Sequence, residues 1–215
     1  MDQRNTKMVI WDWNGTLLDD TQLCYDIANR MRAERGMPVM HDVSEYRAVF
    51  GFPVIDYYRR MGYTFERESY EDISVEFVAL YAEGLPGCPL QPGVKETLEK
   101  IARLGIPQIL LSATGADRLG GQAALFGLTR YFSRIIGGEN NLAHGKAGQA
   151  KSLIEACALD PMQVLFVGDT DHDYEVSAAV GCRCVLLTRG HQSRAHLSAL
   201  PVPLISELPE VVAYL

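Results

Sequence analysis

The sequence contains no apolar run that approaches the ~20 residues needed to cross a bilayer. Its first residues, MDQRNTKMVIWDW, show neither a long apolar stretch nor a small-residue cleavage site, so they do not resemble a signal peptide. We therefore expect a cytoplasmic protein without a membrane partner.

The sequence also contains fewer basic residues than acidic ones. The 20 lysines and arginines are outnumbered by 27 aspartates and glutamates, and the net charge is −7. A chain with this balance does not present the basic surface that binds nucleic acid or an anionic membrane. If its substrate is an anion, a local lysine, arginine or metal ion must offset the overall negative charge.

The few cysteines are scattered and odd in number. They are Cys24, Cys88, Cys157, Cys182 and Cys184. Their spacing forms neither a disulfide framework nor the paired motifs of zinc sites. We interpret them as reduced residues of a cytosolic protein.

Strand-like and helical patterns alternate through most of the chain. The strand-like runs, which are rich in apolar residues, are 8–11, 107–112, 134–137, 163–168, 183–188 and 203–206. The helical patterns that alternate with them cover 93–104, 116–126, 147–158 and 173–180. This alternation predicts an α/β fold, in which helices cover both faces of a Rossmann-like parallel sheet.

A block of helical patterns without a convincing strand interrupts this alternation. Its segments are 21–35, 43–50, 54–61 and 69–84. An insertion of this kind after the first strand predicts an all-α cap domain. We place the core at residues 1–18 and 88–215 and the cap at residues 19–87, with hinges near 17–20 and 85–91.

Three polar residues end strand-like runs. Asp12 follows the first run, Ser112 ends the second, and Asp169 follows the run that ends at Gly168. In an open parallel sheet, ligands bind outside the carboxyl ends of the strands. The three residues therefore point to one shared site.

The segment Asp12-Trp-Asn-Gly-Thr16 is suited to phosphoryl transfer. A carboxylate at a strand end can attack phosphorus and also bind a hard cation. Gly15 allows backbone N–H groups to approach phosphate oxygens, and Thr16 adds a hydroxyl. Ser112 and Ala113 offer a second hydroxyl and a backbone donor for the phosphate.

A second group of residues supplies the charges. Asp169, Asp171 and Asp173 form an acidic loop that suits Mg²⁺, and Lys146 can balance the negative charge of the nucleophile and phosphate. Lys151 is the alternative lysine. No G-x-G-x-x-G follows the first strand and no P-loop precedes Lys146, which disfavours dinucleotide-binding proteins and P-loop NTPases.

In this order, the four segments resemble the motifs of the haloacid dehalogenase superfamily, in its phosphoglycolate-phosphatase-like branch with a helical C1-type cap. The resemblance covers essentially the whole chain. It implies that Asp12 forms an aspartyl-phosphate and that Ser112 and Lys146 hold the phosphoryl group. It also implies a Mg²⁺ site formed by Asp12, the backbone carbonyl of Asn14 and Asp169, with Asp173 in support.

Asn14 departs from the family pattern, because phosphatases of this type usually carry a second aspartate there as general acid and base. An amide cannot donate or accept the proton. Another group or water can perform the proton transfers, the protein can be a slow or regulatory aspartyl-phosphate former, or Asn14-Gly15 can deamidate to aspartate. A non-catalytic phosphate-binding protein is the alternative from another functional class.

We therefore expect a Mg²⁺-dependent phosphatase that acts on a small phosphate monoester, phosphoglycolate-like or a sugar phosphate, as a monomer or homodimer. Nucleotides and pyrophosphate remain open as substrates. The arginines at 47, 59 and 60 of the predicted cap are candidates to bind a substrate carboxylate. The histidines at 144, 172 and 191 are interpreted as loop-surface residues.

Overall fold

A parallel sheet of six strands lies at the centre of the computed structural model, which describes residues 6–138 and 146–215. The strands are β1 (Met8–Trp11), β2 (Gln108–Gly115), β3 (Arg134–Gly138), β4 (Val164–Gly168), β5 (Arg183–Leu187) and β6 (Leu204–Ile205). Their spatial order is β3-β2-β1-β4-β5-β6, and every neighbouring pair is parallel. The chain changes direction across the sheet at β1, so the carboxyl ends of β1 and β4 form the crevice in which ligands bind in such folds.

The helices follow the sequence pattern closely. They are α1 (Thr21–Glu34), α2 (Val43–Val49), α3 (Val54–Arg60), α4 (Tyr70–Gly84), α5 (Val94–Arg103), α6 (Ala116–Leu125), α7 (Lys146–Ala156), α8 (Asp171–Val180) and α9 (Arg194–Leu197). Short 3₁₀ segments lie at Leu85–Gly87, Thr129–Tyr131, Pro161–Gln163 and Leu208–Tyr214. The α/β fold with a parallel sheet is confirmed.

The central strands are buried on both faces, which explains their almost wholly apolar sequences. In β1, Val9 and Trp11 pack into the apolar cluster on one face of the sheet. Met8 and Ile10 point to the opposite face and pack into the other cluster. This alternation is the two-residue period of a strand.

Helices α1 to α4 enclose an apolar cluster of their own, which includes Ile27, Met31 and Ile73. The two connections to the core lie side by side: the backbone N–H of Asp19 donates to Pro89 O at 2.9 Å, and that of Gln91 donates to Leu17 O at 3.0 Å. The division into core and cap remains a prediction, which the separate cluster and the paired connections support.

Three local features differ from the sequence expectation. Ser112 does not end β2, because this strand continues to Gly115 with a shift of register after Leu111. Helix α8 begins at Asp171 instead of residue 173, because Thr170 caps it. The last strand contains only two residues. None of the described helices has the length and apolar character that a bilayer-crossing helix requires.

Candidate active site

Three buried carboxylates meet at the carboxyl ends of β1 and β4. The two strands pair with Trp11 opposite Val167, so the residues that follow them emerge together. Asp12, Asp169 and Asp173 each bring a carboxylate oxygen within 4.8 Å of the others. The sheet therefore gathers three of the aspartates that the sequence pointed to.

Lys146 joins two of these carboxylates. It is the first residue of α7, and its Nζ lies 2.6 Å from Asp12 Oδ1 and 2.7 Å from Asp173 Oδ1. Burial lowers the pKa of the lysine, but the two carboxylates raise it and the net shift is upward, so Lys146 carries its charge. Lys151 lies on the surface instead, 4.0 Å from Glu155.

Asp173 is held by the first turn of α8. Its Oδ2 accepts hydrogen bonds from the backbone N–H groups of Asp169 and Thr170, both at 3.1 Å, and from the Thr170 hydroxyl at 2.8 Å. Burial raises the pKa of Asp173, but Lys146 and these hydrogen bonds lower it more. With both oxygens engaged, Asp173 fixes Lys146 in place and supports the cluster from behind.

Asp169 is clamped from both sides. The Thr16 hydroxyl donates to its Oδ1 at 2.8 Å, and the backbone N–H of His191 donates to its Oδ2 at 2.7 Å. A Cβ at Gly15 would lie 2.2 Å from Oδ2, and one at Gly190 would lie 2.1 Å from it. Gly15 also has a φ of +71°, so the turn after Asp12 requires glycine for two reasons.

The electrostatics of the cluster favour a bound cation. Burial raises the pKa of Asp12 to about 6, although Lys146 opposes this shift. Burial also raises the pKa of Asp169 to about 8, and the nearby carboxylates add to it. Lys146 contacts two of the three carboxylates, Asp12 and Asp173, whereas His191 partly offsets the upward shift of the Asp169 pKa. An oxygen-rich, negatively charged cluster of this kind fits a hard divalent cation such as Mg²⁺.

The phosphate-binding residues predicted from the sequence fall into two sets. Ser112, Ala113 and Lys146 line the cavity beside Asp12. Gly15 and Thr16 are not among its lining residues, and their polar groups are engaged elsewhere. The N–H of Gly15 donates to Asp20 Oδ1 at 2.8 Å, and the Thr16 hydroxyl is bound to Asp169.

Asn14 lies in a partly buried hydrogen-bond network. Its Nδ2 donates to Asp20 Oδ2 and to the Tyr81 hydroxyl, both at 2.7 Å, and its Oδ1 accepts from Thr114 Oγ1 at 2.8 Å. The Tyr81 hydroxyl in turn donates to Asp20 Oδ2 at 2.6 Å. Because the Gly15 N–H is held by Asp20, the fold opposes the attack of this nitrogen on the Asn14 side chain that deamidation requires.

His191 completes this network. Its Nε2 lies 3.1 Å from Asp20 Oδ1, and its Nδ1 lies 2.9 Å from the Tyr46 hydroxyl. Burial lowers the pKa of His191, but Asp20 outweighs this effect and the pKa rises to about 9. The interpretation of His191 as a surface residue was wrong, since only 4% of it is exposed. His172 lines the cavity, and His144 lies outside the described residues.

Asp20, Tyr46 and Tyr81 carry no local signal in the sequence. Asp20 lies at the start of the insertion, and the two tyrosines belong to helices α2 and α4. None of them follows a strand, so the strand-end argument could not select them. Tyr46 connects α2 to the site through His191, and Tyr81 connects α4 to it through Asp20.

The candidate arginines do not line the cavity. Arg47 donates to the backbone oxygens of Gly190 and Arg189, both at 2.8 Å. Arg60 donates to Val49 O at 2.8 Å, and Arg59 pairs with Asp56 at 2.6 Å. Their prediction as substrate ligands is not supported, because their guanidinium groups stabilise the cap and its contact with the core.

Comparison with known proteins identifies the family. The model of haloacid dehalogenase-like hydrolases matches residues 9–187. The phosphoglycolate phosphatase of Chromobacterium violaceum is 27% identical and is aligned over 99% of this chain and 99% of its own. That of Pseudomonas savastanoi pv. phaseolicola is 26% identical, over 96% of this chain and 78% of its own.

Solved structures show the same fold. A haloacid dehalogenase-like hydrolase from Streptococcus pneumoniae matches with a TM-score of 0.82 and 21% identity, over 98% of both chains. A predicted phosphoglycolate phosphatase from Haemophilus somnus matches with a TM-score of 0.79 and 21% identity, over 97% of both chains. The match to the family model extends from β1 to the end of β5 and so contains the whole carboxylate cluster. This chain belongs to the haloacid dehalogenase-like hydrolase family.

Proposed function

We propose that the protein is a Mg²⁺-dependent phosphatase that hydrolyses a small phosphate monoester through an aspartyl-phosphate on Asp12. The observation that carries the proposal is the buried contact of 2.6 Å between Asp12 Oδ1 and Lys146 Nζ at the end of β1. This pair places a nucleophile beside a permanent positive charge. The names of the curated relatives support a phosphate ester as substrate.

The reaction has two steps. A carboxylate oxygen of Asp12 attacks phosphorus, the bond from phosphorus to the ester oxygen breaks, and the alcohol leaves after taking up a proton. Water then attacks phosphorus, loses a proton and releases inorganic phosphate, which restores the Asp12 carboxylate. Lys146 and the hydroxyl of Ser112 hold the phosphoryl oxygens, so the protein contributes mainly position and charge.

The residues present fit the metal ion that the family uses. Asp12, the backbone carbonyl of Asn14 and Asp169 would hold Mg²⁺, and Asp173 would support them by positioning Lys146. When bound, the ion supplies positive charge that offsets the phosphate and the carboxylates. The tight packing of Gly15 and Gly190 against Asp169 keeps this carboxylate directed into the cluster.

Asn14 shapes the substrate preference. Its amide gives no proton to the departing alcohol, and general acid catalysis typically contributes about 10²–10⁴-fold. We therefore expect turnover to depend steeply on the basicity of the leaving group. The alternative function is a slow phosphoenzyme or a phosphate sensor, and Asn14 supports it as well. Both the nitrogen and the oxygen of its amide are already hydrogen-bonded within the protein.

The proposal predicts Mg²⁺-dependent release of phosphate by the wild type that falls by at least about 10³-fold in Asp12→Asn, because this substitution removes the nucleophile. The measurement is phosphate release from one activated aryl phosphate and several alkyl phosphates, including phosphoglycolate, with and without Mg²⁺. A phosphoryl group found by mass spectrometry on the peptide that contains Asp12 would identify the intermediate.

Asp171→Asn is the matched control. Asp171 is near the cluster but accepts from Gln192 and contacts His196 instead of Lys146. This variant should retain wild-type turnover. A single stoichiometric phosphorylation without turnover would favour the regulatory alternative. If no ester is hydrolysed and Asp12 is never phosphorylated, the proposed function is wrong.

A further inference from the structure

Helix α4 contributes apolar side chains both to the interior of the helical segment and to a cavity. Ile73, Phe77 and Leu80 belong to the apolar cluster within the cap. Phe77 also belongs to the set that lines the cavity above Asp12; its members in α4 are Tyr70, Glu71, Ser74, Val75, Phe77, Val78 and Tyr81. A helix at the surface of a protein usually buries one apolar face, so Val75 and Val78, which lie outside the cap cluster, face a ligand cavity instead of solvent alone.

The opposite wall of this cavity is aromatic. Tyr46, Phe50 and Tyr57 line it and pack against one another, with ring centroids 5.4 Å apart for the first pair and 5.2 Å for Phe50 and Tyr57. Phe52 extends the wall and packs on His172, with their centroids 4.6 Å apart. Tight aromatic packing keeps these rings in place, so the wall is preformed.

Cations are confined to the core side of the cavity. Among the described lining residues, the lysine and arginine are Lys146 and Arg118, and no lysine or arginine of residues 19–87 lines it. The acidic residues of this range that line the cavity are Asp20 and Glu71. A leaving group with its own carboxylate would therefore meet apolar and acidic surface in the cap.

The cavity also contains polar atoms without partners. The Tyr57 hydroxyl and His172 Nε2 are buried and make no hydrogen bond with the described residues. Buried polar groups are nearly always paired, and an unpaired group is costly. A bound molecule with a hydrogen-bonding group beyond its phosphate would satisfy them.

The volume of the cavity agrees with a large occupant. It measures about 620 Å³ and reaches from Asp12 and Lys146 to the aromatic wall. Pockets of ~300–1,000 Å³ typically enclose molecules much larger than a two-carbon phosphate ester. Because the apolar walls are continuous with the phosphate site, the group they fit is the alcohol of the ester.

We propose that the enzyme selects phosphate monoesters whose alcohol is bulky and largely apolar, of the arylalkyl type, and disfavours small anionic esters such as phosphoglycolate. This inference rests on the proposed phosphatase function and names its substrate class. The phosphate binds beside Asp12, and the apolar part of the alcohol lies between α4 and the aromatic wall.

The first test compares esters of primary alcohols, so that leaving-group basicity differs little. We expect kcat/KM for 3-phenylpropyl phosphate to exceed that for propyl phosphate and for phosphoglycolate by at least about tenfold, because the phenyl group is removed from water. Equal values, or a preference for phosphoglycolate, would overturn the inference and leave the phosphatase function intact.

Two valines provide matched variants. Val75 lines the cavity and is 69% exposed, whereas Val39 is an exposed cap residue away from it. Val75→Asp should lower the ratio of kcat/KM for phenylpropyl to propyl phosphate by about fivefold, because a carboxylate would meet the apolar group. Val39→Asp should leave this ratio unchanged. Sedimentation could instead show that Val75→Asp dissociates a dimer while the ratio of the two kcat/KM values is unchanged. In that case this face of α4 is an interface between two copies of the chain, and the inference is wrong.

A binding measurement separates this inference from the chemistry. Calorimetric titration with 3-phenylpropylphosphonate and with propylphosphonate, both in Mg²⁺, requires no turnover. Tighter binding of the phenyl compound, by about tenfold, supports the inference even if no ester is hydrolysed. Equal binding overturns it. Tyr57→Phe removes an unpaired hydroxyl but keeps the ring, so it should not lower the free energy of unfolding. An unchanged free energy of unfolding would show that ring packing, without the hydroxyl, maintains the aromatic wall.

Discussion

Asn14 and Asp20 form a hydrogen-bonded pair of an amide and a carboxylate. With the usual aspartate at position 14, the pair would consist of two carboxylates. The Asn14 amide donates to Asp20 Oδ2 at 2.7 Å, and Asp20 is completely buried. Burial raises the pKa of Asp20, but His191 and the hydrogen bonds from Tyr81 and Asn14 lower it more, and the net shift is downward. Asp20 is therefore a buried carboxylate that needs donors around it.

Restoring the usual aspartate should consequently destabilise this protein. Asn14→Asp would place a second carboxylate against Asp20 and remove two donated hydrogen bonds. We expect a loss of about 2–4 kcal/mol in the free energy of unfolding, measured by urea denaturation in metal-free buffer at pH 7. Turnover should not recover to the level of family members with aspartate there.

The double variant Asn14→Asp/Asp20→Asn tests the cause. It exchanges the amide and the carboxylate, so one donates to the other again, and the amide oxygen introduced at position 20 can still accept from the Gly15 N–H. We expect the double variant to recover at least about half of the lost stability, which is a coupling that independent sites do not show. An additive double variant would mean that the Asn14–Asp20 contact is not the source of the loss.

At the scale of elements, capping motifs at the N-termini of two helices fix the positions of the carboxylates of Asp173 and Asp72. Thr170 and Asp173 form a capping box at the start of α8, and Ser69 and Asp72 form the same motif at the start of α4. The first box holds the carboxylate that binds Lys146, whereas the second lies on the surface of the cap. The two boxes share their chemistry but differ in their distance from the site.

Thr170→Ala and Ser69→Ala should each lower the free energy of unfolding by about 1 kcal/mol, since each removes the cap of one helix. Only Thr170→Ala should also lower kcat/KM, because Asp173 then loses its hydroxyl donor and holds Lys146 less firmly. Denaturant unfolding and phosphate release measure the two effects. Equal loss of activity in both variants would show that helix stability alone, and not the position of Asp173, controls turnover.

At the scale of the whole molecule, the cluster concentrates negative charge inside a protein that is already acidic. Asp12, Asp169 and Asp173 lie together in a chain with a net charge of −7, and Lys146 contacts Asp12 and Asp173. A cation that binds only the folded state stabilises it by mass action. If these carboxylates hold Mg²⁺ as proposed, they also link the stability of the fold to the metal.

Mg²⁺ should raise the melting temperature of the wild type by roughly 5–10 °C at about 100 times its dissociation constant. Asp169→Asn should remove this response without lowering the stability of the metal-free protein, because an asparagine can still accept from the His191 N–H and donate to Thr16 Oγ1. Thermal unfolding in Mg²⁺ and in NaCl of equal ionic strength separates binding from screening. A similar rise in Asp169→Asn would place the bound ion elsewhere.

Most of the strands and helices of the core could be predicted from the sequence, because the apolar patterns that indicate them are local. The apolar runs of β1 and β4 must be buried on both faces, and the residues that follow them must emerge at one edge of the sheet. Asp12 and Asp169 were found in this way, and the structure brings them together with Lys146, which was selected for its charge at the start of a predicted helix. The shift of register after Leu111 was not foreseen, since pairing between strands depends on the neighbouring strand.

The residues suited to phosphoryl chemistry, and the order of the strands and helices that present them, follow from the amino-acid sequence alone. Their surroundings depend on how distant segments pack in the folded chain. Asn14 meets Tyr81 across 67 residues and His191 meets Asp20 across 171, and contacts between residues so far apart leave no periodic pattern in the chain. The walls of the cavity arise in the same way, because residues of α2, α3 and α4 line it together with Asp12 only in the folded chain.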